Sequence, residues 1–176
     1  MMVFKGRTVL VADTNVEDFP SSQRLVEISK SCVRVSRLFG FDPKVAFLSH
    51  STFGKPISRN TKHVRDAIDL LKKEKVEFDF DGEMQPDVAL NPIYQDVYPF
   101  SKIVGKANIL IMPALHSAAI STKLMKSFGG AKLIGPLLIG LDLPIEVAPL
   151  RSSTSDILNL ASIAAYSADV VDYKKS

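Results

Sequence analysis

Asn108-Ile109-Leu110-Ile111-Met112-Pro113 decides the fold. Four successive apolar residues are too few for a helix and show no polar alternation, so they suit a strand buried on both faces, as in a parallel sheet. Pro113 cannot donate to a ladder and ends the strand. Ala114 to Phe128 follows as a helix, and Gly129-Gly130 stops it. A buried strand that feeds straight into a helix is half of a βαβ unit, whose crossovers are right-handed.

The same alternation extends in both directions. Upstream, Thr8 to Asp13 is a β-branched run that ends in an acid and a turn cluster. From Ser22 to Phe39 the apolar residues Leu25, Ile28, Cys32, Val35 and Phe39 recur at helical steps, with Gly40 as the stop. Lys44 to Ser49 is a second strand, His50 to Asn60 a polar loop, and Thr61 to Lys73 a helix whose apolar stripe is Val64, Ile68 and Leu71. Lys62, Arg65, Lys72 and Lys73 read as its solvated face. Asn91 to Lys106, with two prolines and little periodicity, reads as an exposed loop. Downstream, Lys132 to Gly135 and Pro144 to Val147 read as short strands, and Ser152 to Ala168 as a last helix with capping residues at its entry. The fold class is α/β with a mostly parallel sheet, and no internal repeat or linker divides the chain.

Composition narrows the function. The chain has 176 residues, 46% hydrophobic and 23% charged, which is the range of an ordinary globular protein and not of a disordered one. A net charge of +3 lacks the basic excess of a nucleic-acid binder, so no nucleic-acid partner is expected. No apolar run approaches the ~20 residues of a membrane span, and no export signal opens the sequence. A single cysteine, Cys32, allows no intrachain disulfide, and a cytoplasmic setting follows. Cys32 lies on the apolar stripe and reads as a buried structural thiol. His50, His63 and His116 lack metal-ligand spacing, so no metal site is expected. Dinucleotide, P-loop and nucleophile-elbow motifs are absent.

Four segments place polar or flexible residues where strands end. Leu48 to Gly54 carries Ser49, Ser51 and Thr52, a set that fits either an anion cradle or ordinary turn chemistry. Asp79 to Asp87, with Asp81 and Gln85, offers carboxylates for acid, base or acceptor roles, or equally a helix N-terminus lined with acids. Gly135-Pro136-Leu137-Leu138-Ile139-Gly140 allows close backbone approach to a ligand, or a tight turn. Leu150 to Asp156, with Arg151, Ser153 and Asp156, brings an arginine and hydroxyls to a helix start, where they either hold an anion or cap the helix.

In this order, Val11-Ala12-Asp13, Pro43 to Ser51, Asp81 to Gln85 with Asp87 and Ala89, Ala107 to Pro113 and Gly135 to Gly140 resemble the phosphate acetyl/butyryl transferase family. Leu48-Ser49-His50-Ser51 and Asp81-Gly82-Glu83-Met84 look closest to the phosphotransacetylase-like C-terminal domain of bacterial NADP-dependent malic enzymes. Free-standing transacetylases tend toward Leu-Ser-Tyr-Ser and Asp-Gly-Pro. The resemblance implies a three-layer α/β/α fold of the phosphotransacetylase and isocitrate dehydrogenase type. Residues 1–148 then correspond to the second domain of the family's module, and 149–176 to a C-terminal helix that returns to the first.

The resemblance also implies acyl-CoA, with acetyl-CoA foremost, as the ligand of an interdomain cleft, and a homodimer or higher homo-oligomer. The implied contacts are Ser49, Ser51, Thr52, Asp81, Gln85, Gly135, Pro136, Gly140, Arg151 and Ser153. Asp156 aligns with the family's base that deprotonates the coenzyme A thiol, as a vestigial catalytic candidate. The Ser-Arg pair expected before it is replaced by Pro149 and Leu150, and a one-residue slip that recovers Arg151 misplaces the aspartate. The chain therefore reads as an acyl-CoA-sensing and dimerising module of a malic enzyme, whose catalytic domain, with its NADP and divalent metal, lies outside it. Two other readings stand beside it: part of an active phosphate acyltransferase, and a dimeric scaffold without a ligand.

Overall fold

A computed structural model describes residues 1–141 and 143–173, with side chains described through residue 169. Its strands are β1 (Met2–Phe4), β2 (Arg7–Ala12), β3 (Lys44–Leu48), β4 (Asp79–Met84), β5 (Ile109–Ile111) and β6 (Lys132–Leu133). The helices are α1 (Ser22–Leu38), α2 (Lys62–Glu74), α3 (Pro86–Leu90), α4 (Leu115–Gly129) and α5 (Thr154–Tyr173). Six strands form one sheet in the order β4-β3-β5-β2-β1-β6. The β4-β3, β3-β5 and β5-β2 ladders are parallel, while β1 pairs antiparallel with both β2 and β6.

Period-two alternation makes three layers of this sheet. Leu10, Val45, Phe47, Phe80, Ile109 and Ile111 pack with Leu25 and Cys32 of α1 and Val64, Ile68 and Leu71 of α2. Val9, Ala46, Leu48, Met84, Leu110 and Met112 pack on the other side with Ala89 of α3, Ile103, Ala107 and Ala118 of α4. The α/β/α expectation holds, and the central strand Ile109–Ile111 is buried throughout.

Several local expectations change. The N-terminal hairpin escapes sequence reading: Lys5 and Gly6, at φ 47° and 74°, form the two-residue turn between β1 and β2. The buried face of α1 is Leu25, Val26, Ser29, Cys32, Val33 and Ser36, whereas Ile28 and Val35 are only partly covered. That face is wider than a single stripe because α1 contacts both the sheet and α2. Asp79–Met84, which reads as an acidic cluster or a helix N-terminus lined with acids, is an edge strand. Among the described residues, Pro144 to Val147 joins no ladder and makes one antiparallel bridge, Leu137 with Glu146. The Asn91–Lys106 loop holds a 3-10 turn at Pro92–Gln95 and buries Ile103 at 5% exposure. The last helix begins at Thr154; of the expected 149–176 segment, Lys174 to Ser176 lie outside the described residues. Among the described residues no helix is long and apolar enough to cross a membrane.

Candidate functional site

The chain leaves β3 toward the α1/α2 layer and leaves β4 toward the α3/α4 layer, so the carboxyl ends of these strands bound a crevice. Ser49, Ser51, Thr52 and Gln85 meet there around Glu83, whose side chain is fully buried. Its Oε1 accepts from Ser51 Oγ at 2.7 Å, the Gly54 N–H at 3.1 Å and Arg65 Nη1 at 3.2 Å. Arg65 also donates to Thr61 Oγ1 at 2.5 Å and to the Ser58 carbonyl at 3.0 Å. One ion pair thus clasps both ends of the loop between β3 and α2. Arg65 departs from the expected solvated face because a buried carboxylate needs a cation more than the helix surface does.

The remaining loop bonds stitch the same crevice. The Gln85 N–H donates to Thr52 Oγ1 at 3.2 Å, and Gln85 Nε2 to the His50 carbonyl at 2.9 Å. Asp81, 8% exposed, accepts the Lys102 N–H at 2.7 Å and so holds the 97–104 loop, not Ser51 or Glu83. Gly82 has φ +145°, and a Cβ there would lie 2.7 Å from the Phe47 carbonyl oxygen. That contact, with a backbone conformation L side chains avoid, is the physical reason for glycine between the two acids.

Gly135 to Gly140 lies elsewhere. Pro136 through Leu141 line a cavity of about 650 Å³ with Leu10 to Thr14 at the end of β2, and with Ile28, Cys32 and Arg34 of α1. Gly135 turns the chain into it at φ +130°, where a Cβ would meet the Leu137 nitrogen at 2.9 Å. The wall is largely apolar. Most charges at its rim are already paired: Arg24 with Glu17 and Glu27, Lys30 with Glu74, and the Asp13 carboxylate with the N–H groups of Asn15, Val16 and Glu17. Arg34 bonds only Ser31 Oγ, at 2.9 Å, and enters no ion pair among the described residues. Burial pushes the Cys32 thiol up to about 12, so it is an inert wall of the cavity and not a nucleophile. Glu146, beside the Leu138 N–H at 3.3 Å, is held above the usual carboxylate range by burial.

Arg151, Ser153 and Asp156 form a third, separate group at the start of α5. Ser153 Oγ donates to Asp156 Oδ2 at 2.8 Å, and its N–H donates to the same oxygen at 3.0 Å. These bonds, the side-chain one foremost, hold the Asp156 carboxyl below the usual aspartate range. Arg151 is exposed. Among the described residues no three His, Cys, Asp or Glu side chains converge as a metal ligand set.

The structure therefore divides the expected contacts among the crevice, the cavity and the α5 entry, and adds Glu83, Arg65 and Arg34. Glu83 stands in a motif visible in the sequence, but its partners lie 18 and 32 residues away, and no local pattern joins them.

A parallel-centred α/β/α sheet with polar strand ends and a cavity beside the first crossover defines a three-layer α/β domain. Residues 1–165 match the model of the family described as phosphate acetyl/butaryl transferase, and the chain belongs to that family. It is 48% identical over 164 residues to an NADP-dependent malic enzyme of Rhizobium meliloti, matching 93% of this chain and 22% of that protein. It is 35% identical to the phosphate acetyltransferase of Bacillus subtilis, across 88% of this chain and 48% of that one. The EutD phosphotransacetylase of Staphylococcus aureus superposes with a TM-score of 0.87 at 33% identity, covering 95% of this chain and 52% of that one. The chain thus spans about a fifth of its malic enzyme relatives, in their C-terminal part, and about half of its transacetylase relatives.

Proposed function

We propose that this chain is an acyl-CoA-binding module that regulates and dimerises a malic enzyme whose malate-oxidising domain lies outside it. The cavity between α1 and Pro136–Leu141 carries the reading. Its volume of about 650 Å³ lies within the ~300–1,000 Å³ of ligand pockets. Its apolar wall suits an acyl-pantetheine chain, and the unpaired Arg34 suits a phosphate at the rim. Acetyl-CoA is the first ligand to test, with Gly135, Pro136 and Gly140 shaping the wall. Arg151 and Ser153 are kept as outer contacts for a ligand that reaches beyond it, while Ser49, Ser51, Thr52, Asp81 and Gln85 are engaged with one another and with the loops of the neighbouring crevice.

Regulation fits better than turnover. The transferase chemistry implied by the resemblance needs an aspartate free to take a thiol proton and an arginine to hold the acyl phosphate. Asp156 is engaged by Ser153 and held below its usual range, which makes it a weaker base. Pro149 and Leu150 stand at the Ser-Arg positions. Dimerisation is supported by apolar side chains that this chain leaves uncovered: Ile120, Leu124 and Phe128 of α4, and Ile157 and Leu158 of α5, are 50–87% exposed.

Calorimetric titration with acetyl-CoA, with acetyl phosphate in parallel, tests the reading. Saturable heat from acetyl-CoA is expected, together with no thiol release in a coupled assay; absence of binding sinks it. In the longer protein, acetyl-CoA must also change malate oxidation, because regulation requires the ligand to favour one of two states. The second reading, an active phosphate acyltransferase, rests on the 35% identity to the Bacillus subtilis enzyme, and robust thiol release would favour it.

A further inference from the structure

Three donors converge in the β3/β4 crevice: Ser51 Oγ, the Gly54 N–H and Arg65 Nη1, at 2.7, 3.1 and 3.2 Å from a single oxygen of Glu83. A hydroxyl, a backbone N–H and a guanidinium are the groups that hold carboxylates and phosphates in other sites. We propose that they form an oxyanion-binding site which the chain fills with its own Glu83 carboxylate, an internal anion that keeps external carboxylates and phosphates out of the crevice.

Burial supports this. The side chain of Glu83 and the whole of Ser51 are inaccessible to solvent, so the Ser51 hydroxyl has no water to fall back on and the Glu83 carboxylate is held only by these donors. The direction of the hydroxyls agrees. Ser51 gives its only proton to Glu83, so its oxygen accepts from Ser49 Oγ at 3.2 Å, and both protons point inward. The neighbouring N–H groups are also committed: Thr52 to the Lys55 carbonyl, Phe53 to the Glu83 carbonyl, and Lys55 to the Thr52 carbonyl. A turn with the composition of an anion cradle is one whose anion is built in. None of these residues lines the cavity beside α1, so the inference stands or falls apart from acyl-CoA binding there.

Glu83→Ala in the full chain removes the carboxylate and leaves the donors in place. In chloride buffer the variant is expected to lose about 10 °C in Tm. Formate or acetate at constant ionic strength should restore much of that loss along a saturation curve, while the native chain does not respond. Arg65→Gln added to Glu83→Ala should abolish the recovery. If Glu83→Ala does not fold in chloride, refolding from urea reads the same site: helical, soluble protein is expected with formate and not with chloride. Equal responses to formate and chloride, or an equal response from the native chain, overturn the proposal in either format.

Discussion

Ser153 and Asp156 cap the first turn of α5 reciprocally: Ser153 Oγ donates to Asp156 Oδ2 at 2.8 Å and accepts the Asp156 N–H at 3.2 Å. This is the capping-box geometry, with an acid three residues after a serine N-cap. It occupies both hydrogen-bonding faces of the Ser153–Asp156 pair and leaves Asp156 engaged within the helix entry. Folding holds Asp156 below its usual range, so its contribution to stability is present above the unfolded-state value and is lost as pH falls through the lowered folded value. Asp156→Asn should remove that acid-side dependence without touching the cavity. Side-chain NMR titration checks the direction, and an Asp156 that titrates at or above the usual aspartate value would contradict it.

Gly82→Ala should cost about 3 kcal/mol, because overpacking and a disfavoured backbone region each contribute roughly 1–3 kcal/mol. The added methyl would lie 2.7 Å from the Phe47 carbonyl oxygen and 3.1 Å from its Cβ, both in the packed β3/β4 ladder. Urea unfolding measures the loss. A change under 1 kcal/mol would mean that the ladder yields more readily than its geometry implies.

Phe53 occupies φ +48° beside Gly54 at +85°, in a turn closed by bonds between Thr52 and Lys55 in both directions. Both central residues of such a turn favour Asn or Gly. The aromatic pays for its place by packing on Tyr98 and Phe100, with ring centroids 5.3 and 4.9 Å away. Phe53→Asn should gain about 1 kcal/mol in the turn and lose a similar amount of aromatic contact. Stability then changes little, while amide exchange of residues 97–101 rises. Unchanged exchange there would separate the two loops.

Arg34→Glu should weaken acetyl-CoA binding about tenfold, the equivalent of ~1.4 kcal/mol, and flatten its salt dependence. Arg34 is the rim cation without a carboxylate partner among the described residues, and its exposed position makes a folding defect small. Titrations at two ionic strengths check both effects. Equal affinity in the two proteins would place the phosphates elsewhere.

The βα frame was legible because its signals are local. Ile109–Ile111 and the stripe Val64, Ile68 and Leu71 bury as their spacing demands. β4 was not legible, since Asp81 and Glu83 break the apolar pattern of a buried strand while being 8% and 1% exposed. They can be buried only because Lys102, Ser51, Gly54 and Arg65 supply donors from other loops. Pro144 to Val147 errs the other way. Its residues suit a strand, but a strand also needs an open edge alongside, and the segment finds a single bridge.

By itself the sequence determined the succession of strands and helices and the family likeness of the motifs, since each depends on neighbours a few residues apart. Tertiary structure alone decided the strand order, the separation of crevice from cavity, and the pairing of Glu83 with Ser51 and Arg65. Those donors stand 32 and 18 residues from Glu83, and only the single β3-α2-β4 crossover, which lays β3 and α2 beside β4, closes the distance. A buried charge is stable only where such partners converge, so its place is a property of the packed fold and not of the local chain.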